Sequence, residues 1–118
     1  MHELAITKSI ADVVIAKQEE AGASRVLRVW IEAGEMRNLE PAWVQRYFDR
    51  CTQGTSAQGA QIIMERIPIV FRCEACGSDF RFDLHEHHDG RIVCPECECD
   101  KYDLVSGREL AITDMEVA

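Results

Sequence analysis

The first part of the chain carries apolar side chains at a helical period. They occupy positions i, i+4, i+7 and i+8 of a segment spanning residues 4–21, and are Ile6, Ile10, Val13 and Val14. This spacing predicts an amphipathic helix that buries these four side chains on one face. Gly22 follows directly, and a glycine at this position is typical of a helix C-terminal cap. The sequence therefore predicts a first helix that ends at residue 21.

An alternation of apolar and polar side chains follows the predicted helix. Within Val26–Ala33 the apolar positions are Leu27, Val29 and Ile31, and the polar positions are Arg28 and Glu32. Trp30 interrupts the polar side. Alternation with a period of two residues is typical of a strand that is buried on one face. We therefore predict a half-buried strand here.

A second helical pattern begins at Pro41. Proline is favoured at the first position of a helix, because the amide that it lacks would have no partner there. The apolar positions at i, i+3, i+4 and i+7 are Val44, Tyr47, Phe48 and Cys51. The sequence Gln-Gly-Thr-Ser at 53–56 ends the pattern. We predict a second helix whose buried face includes Cys51 as an inert apolar residue.

Two later segments predict further strands, Gln61–Val70 and Leu110–Val117. Pro68 falls late in the first of them, where it marks a sheet edge or an exit from the sheet. The order helix, strand, helix, strand, insert, strand predicts an α+β fold. In this fold, a two-layer unit packs two helices on one face of a three-stranded sheet. The insert leaves and returns between two strands that we expect to be neighbours.

The insert carries two close pairs of cysteines. They are Cys73-Glu-Ala-Cys76 and Cys94-Pro-Glu-Cys97, with 17 residues between the pairs. Two such knuckles supply the four soft ligands that tetrahedral zinc takes at about 2.3 Å. Four thiolates saturate the ion and leave no position for water, so we expect Zn(II) to be structural. The pattern predicts an inserted rubredoxin-like zinc ribbon.

The ribbon sets the predicted domain boundaries. A first domain comprises residues 1–69 and is completed by 106–118, and the ribbon domain comprises residues 70–105. Few large apolar side chains lie between the two cysteine pairs. We therefore expect the metal to take the place of a hydrophobic core in the second domain.

Cys99 is an alternative to Cys97 as the fourth zinc ligand. We prefer Cys97, because two residues then separate the ligands in both knuckles. Gly77 supplies a tight turn after the first pair, whereas Glu98 occupies the equivalent place after the second. This departure leaves the geometry of the second knuckle open.

The charge of the chain limits its partners. It has 21 acidic and 13 basic residues and a net charge of −8. An acidic chain repels the phosphate backbone, and no run of Lys or Arg opposes this, so we expect no nucleic-acid binding. Four basic residues flank the cysteines and are interpreted as offsetting the charge of a tetrathiolate zinc centre. They are Arg72, Arg81, Arg91 and Lys101.

The sequence predicts a cytoplasmic protein. An acid stands where a signal peptide would have a basic region, and no apolar stretch approaches the roughly 20 residues of a membrane span. In that compartment thiols stay reduced, which favours metal binding over disulfides.

Histidines are the remaining candidate ligands. The main-chain and ring nitrogens of His2 can close chelate rings with the terminal amine, and such nitrogen ligands suit Ni(II) or Cu(II). Taken alone, a histidine near a terminus is more often without function. The three histidines His85, His87 and His88 can hold a transition metal, although a solvated loop is the simpler interpretation.

Nothing in the sequence resembles a catalytic centre. There is no Gly-rich phosphate loop and no nucleophile motif. We interpret Glu35 and Glu40 as solvated charges and Glu3 as an acid favoured at a helix start. The sequence therefore does not predict an enzyme.

Several of these features together resemble one protein family. They are the opening Met-His-Glu, the segment Arg25–Gly34, the sequence Cys51-Thr-Gln-Gly-Thr55, the paired cysteines of the ribbon and the closing Ser106-Gly-Arg-Glu-Leu110. In this combination the chain resembles the HypA/HybF family of hydrogenase nickel-incorporation proteins over essentially its whole length.

The resemblance implies a nickel metallochaperone. Members bind Ni(II) at the N-terminus and help to insert it into the large subunit of [NiFe]-hydrogenase, together with a HypB-type GTPase. In some bacteria members also serve urease, which adds urease maturation proteins to the implied partners. The implied nickel ligands are Met1, His2 and Glu3, with nickel as cargo and zinc as the structural ion. A histidine among residues 85–88 is a possible further ligand, and the expected state is a monomer or a homodimer.

One alternative remains open from the sequence. A zinc-ribbon adapter would mediate protein–protein contacts through the acidic α/β part without nickel transfer. The two hypotheses differ in what they require of the N-terminus, because only the chaperone needs a free terminal amine beside His2.

Overall fold

The structure is a computed structural model that describes residues 2–86 and 91–118, with His2 described by its backbone only. In chain order its elements are α1 (His2–Ala21), β1 (Val26–Gly34), a 3-10 helix (Glu35–Arg37), α2 (Pro41–Cys51), β2 (Gln61–Ile67), β3 (Ile69–Cys73), β4 (Asp79–Phe82), β5 (Tyr102–Ser106) and β6 (Leu110–Val117). Two helices are accompanied by two small sheets, and the predicted α+β fold is confirmed.

The chain divides into two compact units. The first unit comprises Met1–Glu32, Leu39–Glu65 and Leu110–Ala118, and the second comprises Ala33–Asn38 and Arg66–Glu109. The short 3-10 helix therefore belongs to the second unit, although it precedes α2 in the sequence. The functional division into a nickel-binding and a zinc-ribbon domain stays a prediction.

The sheet of the first unit has three strands in the order β2-β1-β6, as many as predicted. Arg25 and Ala118 exchange backbone hydrogen bonds of 3.4 and 2.9 Å. At the other end of β1, the N–H of Gly34 donates to the carbonyl of Glu109 at 2.7 Å, so β1 and β6 run antiparallel. The expectation that the insert joins neighbouring strands was wrong. It joins β2 and β6, which lie on opposite sides of β1.

The buried face of α1 is rotated from the predicted one. Ile10 and Val14 are buried as expected, but Val13 is 45% exposed. The buried positions instead recur as Thr7, Ala11, Val14 and Gln18. At 100° per residue these four positions share one arc of the helix. The prediction missed this arc because it gave no weight to small and polar side chains.

The C-terminal cap of α1 and the buried face of α2 agree better with the sequence. Gly22 has φ of +66°, and the next N–H donates to the carbonyl of Gln18 at 3.3 Å, which caps α1 as predicted. Val44 and Phe48 of α2 are fully buried. Cys51 is only half-buried, so its expected burial was overstated.

Pro68 separates two strands rather than lying late in one. β2 ends at Ile67, and β3 begins at Ile69 in a different sheet. The single strand predicted for Gln61–Val70 was therefore wrong. Proline cannot donate to a ladder, and here it stands where the chain leaves one sheet and enters the next.

The second unit contains a sheet that the sequence did not predict, in the order β4-β3-β5. β3 is antiparallel to both neighbours, and Phe71 lies opposite Phe80 on β4 and Leu104 on β5. The centroid of the Phe71 ring lies 4.5 Å from that of Tyr102, 5.8 Å from that of Phe80 and 6.2 Å from that of Phe82. A small aromatic cluster therefore stabilises this unit, in addition to any metal that the cysteines bind.

Candidate metal centre

Four cysteine sulfurs come together in the second unit. Cys73, Cys76, Cys94 and Cys97 have their Sγ atoms within 4.8 Å of one another. The Cys73–Cys97 and Cys76–Cys94 separations are 3.5 and 3.6 Å. Sulfurs that bind a tetrahedral zinc ion at about 2.3 Å lie about 3.8 Å apart. The group therefore has the chemistry and nearly the dimensions of a tetrathiolate metal site.

The first knuckle is a tight backbone turn. Gly77 donates its N–H to the carbonyl of Cys73 at 3.0 Å, and Cys73 donates its own N–H to the carbonyl of Ser78 at 2.9 Å. Gly77 has φ of +74°, a left-handed conformation that glycine adopts without strain. This turn places the sulfurs of Cys73 and Cys76 close together in the group.

The second knuckle repeats this arrangement without a glycine. The backbone N–H of Glu98 donates to the carbonyl of Cys94 at 2.8 Å, and the backbone N–H of Cys94 donates to the carbonyl of Cys99 at 2.9 Å. Glu98 has φ of +61°, which costs a non-glycine residue about 1–2 kcal/mol. The geometry left open by the sequence is therefore the same in both knuckles, and the second carries strain that the first does not.

Cys99 stays outside the sulfur group. Its Sγ accepts the N–H of Lys101 at 3.4 Å, and its own backbone N–H points to the sulfur of Cys97. Cys99 thus supports the knuckle through its main chain. Of the two alternatives for the fourth position, the structure brings Cys97 into the group.

Hydrogen bonds stabilise thiolates in the first knuckle. The Ser78 hydroxyl, and after it the Ser78 backbone N–H, lowers the pKa of the Cys76 thiol to about 6. The backbone N–H of Cys76 is the largest influence that lowers the pKa of Cys73. Ser78 was missed in the sequence analysis, although its place directly after the Cys-x2-Cys-Gly turn is the signal that identifies it.

Crowding has the opposite effect at Cys97. The Cys99 N–H lowers its pKa, but the sulfur of Cys73, desolvation and the remaining two sulfurs outweigh this and raise the pKa to about 12. Without a cation, negative charge that is favoured on one sulfur is opposed on its neighbour. A divalent ion removes this conflict, so the four sulfurs are better suited to bind a metal as thiolates than to remain protonated thiols.

Two of the four basic residues near the cysteines have carboxylate partners. Arg72 pairs with Asp79 at 2.8 Å, and Arg81 pairs with Glu35 at 3.0 Å. The hydrogen bond from Arg72 lowers the pKa of Asp79. For these two arginines, the interpretation as counter-charges of the metal centre gives way to ordinary ion pairs. Glu35 is likewise a paired side chain rather than a solvated charge.

The structure bears little on the candidate nickel ligands. Met1 and the side chain of His2 lie outside the described residues. Helix α1 begins at His2, two residues earlier than predicted, and Glu3 is half-buried in its first turn. In the histidine cluster, His85 donates its backbone N–H to Asp83 at 2.8 Å. The other two histidines of that cluster also lie outside the described part of the chain.

No helix within the described residues is long and apolar enough to cross a membrane. Among those same residues, the four cysteines form the one group of three or more His, Cys, Asp or Glu side chains with metal-binding geometry.

Comparison with known proteins gives consistent results. The model of a family described as "Hydrogenase/urease nickel incorporation, metallochaperone, hypA" matches residues 1–117. The chain is 36% identical to a hydrogenase maturation factor HypA of Dehalococcoides mccartyi (strain 195) over 99% of this chain and 94% of that protein. It is equally 36% identical to one of Chlorobium limicola, over 99% of this chain and 97% of that protein.

Two solution structures share the fold. One is described as a HypA protein, with a TM-score of 0.70 and 17% identity over 100% of this chain and 97% of that chain. The other is the Ni metallochaperone HypA from Helicobacter pylori, with a TM-score of 0.63 and 16% identity over 98% of this chain and 96% of that chain. At these identities the likeness concerns the fold alone.

Proposed function

Because the chain belongs to the HypA family of hydrogenase and urease nickel-incorporation metallochaperones, we propose that it binds Ni(II) at its N-terminus and helps to insert it into the large subunit of [NiFe]-hydrogenase. The observation that carries this proposal is the family match over residues 1–117, which includes the N-terminal residues that would hold the metal. Nickel is then a transferred cargo, and the protein acts without catalysing a reaction of its own.

The proposed nickel ligands are Met1, His2 and Glu3. The terminal amine, the main-chain nitrogen of His2 and its imidazole form consecutive chelate rings, and nitrogen ligands of this kind suit Ni(II). The start of α1 at His2 supports the proposal. The first four N–H groups of a helix have no intrahelical acceptor, so the helix does not occupy the main-chain nitrogen of His2.

The proposed ion at the four cysteines is zinc. The close sulfur–sulfur distances and the two matching knuckles support a tetrahedral ion with four thiolate ligands. Four protein ligands leave no open coordination position, so this ion supports the ribbon rather than taking part in transfer. The nickel site and the zinc site would therefore lie in different compact units of the chain, the first and the second.

Release of nickel follows from the chemistry of its ligands. Protons compete for the terminal amine and the imidazole, whose reference pKa values are about 7.7–8.0 and about 6.5. Mild acid should therefore weaken nickel binding. A site at the end of a chain also lets the ligands of a receiving protein replace its own one at a time. The proposed receivers are a HypB-type GTPase and the hydrogenase large subunit, with urease maturation proteins as further candidates.

Nickel titration of the tag-free protein tests the proposal. We expect one nickel equivalent, whose affinity falls sharply in the His2→Ala variant and in a protein extended by a few residues before Met1. The matched control is Lys8→Ala, a change at an exposed position of the same helix, which should keep the nickel affinity of the unchanged protein. The zinc content and helical signal should be equal in all variants. Unchanged nickel affinity after both changes at the terminus would leave the zinc-ribbon adapter as the better account.

A further inference from the structure

Helix α2 presents three different sides. Val44 and Phe48 face the core and are fully buried. Gln45 defines the second side, where its Nε2 donates to Asp49 at 2.8 Å and its Oε1 accepts the N–H of Ile62 at 2.7 Å. These two sides are occupied by contacts within the first unit.

The third side carries aromatic and basic side chains. Its members stand at i, i+3, i+4 and i+7, which places them on one stripe of the helix. They are Trp43, Arg46, Tyr47 and Arg50, and we call this stripe the Trp43 face. Trp43 is 46% exposed, unusually high for a tryptophan in a small domain.

Three of the four side chains of the Trp43 face contact one another. The Trp43 and Tyr47 rings are stacked with centroids 5.8 Å apart and an interplanar angle of 29°. The guanidinium carbon of Arg46 lies 4.7 Å from the centroid of the Trp43 ring. A guanidinium stacked on an aromatic ring keeps N–H donors available at its edge for a carboxylate. These three side chains are therefore partly preorganised, which lowers the side-chain entropy that they lose on binding.

The charge of the face is opposite to that of the chain. The protein has a net charge of −8, yet Arg46 and Arg50 are both exposed, and neither forms an ion pair with a carboxylate in the described part of the chain. Two cations are thus displayed beside a large aromatic surface. Trp, Tyr and Arg are also the residue types that dominate binding energy in protein interfaces.

We infer that the Trp43 face is a docking surface for a carboxylate-rich segment of a partner protein. Its two guanidinium groups would bind the carboxylates, and the Trp43 ring would cover an apolar side chain between them. Two cations suffice to pair with the carboxylates of a short segment, whereas the long phosphate array of a nucleic acid or an anionic membrane would also meet the repulsion of a chain with a net charge of −8. The inference goes beyond the proposed function, because it concerns partner contact and requires neither metal.

A peptide titration followed by NMR tests the inference. The probe is a short, capped peptide in which glutamates flank a central leucine, added to the full-length protein at low ionic strength. We expect shift changes that centre on the Trp43 indole N–H and on α2, and that weaken with added salt. The matched probe, with glutamine in place of each glutamate, should leave these signals unchanged.

Two charge-reversal variants provide the control. Arg46→Glu combined with Arg50→Glu should weaken binding about tenfold or more, because two attractions become repulsions. Lys8→Glu combined with Arg25→Glu changes the net charge equally at two exposed residues elsewhere in the first unit, and should leave binding nearly unchanged. Shifts centred elsewhere, equal loss in both variants, or self-association of the protein through this face that excludes the peptide would each overturn the inference.

Discussion

The two compact units of this protein are stabilised by different means. The first buries aliphatic and aromatic side chains from both helices and from β1, among them Val14, Val29, Val44 and Phe48, each 0% exposed. The second buries two cysteines, Cys73 and Cys94, and relies on a small aromatic cluster around Phe71. The contrast fits the proposal that a structural ion and a transferred ion are bound in different units. A unit with a large hydrophobic core needs no metal to fold, whereas a unit with only a small aromatic cluster would depend on a metal that it cannot give away.

Loss of a ribbon cysteine should have the largest effect. Cys94→Ser removes one sulfur of the group and should lower the zinc content from one equivalent and unfold the second unit. The reason is that structural zinc contributes on the order of 10 kcal/mol to the folding of small metal sites. Metal analysis and amide NMR signals of β3 and β4 report the result.

Cys99→Ser is the matched control for the ribbon. Its sulfur lies outside the group, so this variant should keep its zinc and its ribbon signals. A ribbon that stays folded without Cys94, or one that loses zinc when Cys99 is replaced, would contradict the contrast between the two units.

Truncation of the first unit's core should have the next largest effect. Phe48→Ala removes a fully buried ring and should destabilise the first unit by about 3–5 kcal/mol. The zinc content should stay at one equivalent, because no ribbon cysteine is touched. Chemical denaturation measures the loss, and Trp43→Ala, at a half-exposed ring of the same helix, should cost far less. If Phe48→Ala also lost its zinc, the stability of the second unit would depend on the core of the first.

The two knuckles offer a smaller and more exact comparison. Gly77→Ala should destabilise the ribbon by about 1 kcal/mol, because alanine is strained at φ of +74° although nothing lies within 4 Å of its added Cβ. Glu98→Gly should have the opposite sign and stabilise the second knuckle by about 0.5 kcal/mol, since the relief of strain is partly offset by the flexibility of glycine in the unfolded chain. Thermal unfolding of the zinc-loaded protein measures both. Shifts of equal sign would mean that the knuckles do not share the backbone geometry described above.

The smallest effect concerns an ion pair on the ribbon surface. Asp79 has a pKa below its reference value of 3.8 because Arg72 hydrogen-bonds its carboxylate. Its folded pKa therefore lies below its unfolded pKa, so the contribution to stability is complete above the unfolded value and is lost as the pH falls through the folded one. Both partners are exposed, and Asp79→Asn should cost less than about 1 kcal/mol. An NMR titration of Asp79 that gives an ordinary or raised pKa would count against the pair.

The sequence predicted what depends on local spacing. The cap at Gly22 and the start of α2 at Pro41 follow from short-range geometry and were confirmed. The cysteine pairs also follow from local spacing, and the structure brings their four sulfurs together. Errors arose where tertiary packing decides. The buried arc of α1 follows Thr7 and Ala11 rather than the most apolar side chains, because burial depends on what packs against the helix.

Strand order and sheet membership were also beyond local reasoning. β2 and β6 both pair with β1, and nothing in their own residues states which strand separates them. The strands of the ribbon are short and carry charged side chains such as Arg72 and Asp79, so their alternation was too brief to identify. The Arg81–Glu35 pair joins residues far apart in sequence, which no motif anticipates.

The central claim is that the cargo ion and the structural ion use different ligands at different places in the chain. X-ray absorption at the nickel and zinc edges of the tag-free protein, loaded with one equivalent of each metal, tests it most directly. The account predicts zinc surrounded by four sulfurs at about 2.3 Å and nickel surrounded by nitrogen and oxygen with no sulfur. Nickel bound to cysteine sulfur would contradict it.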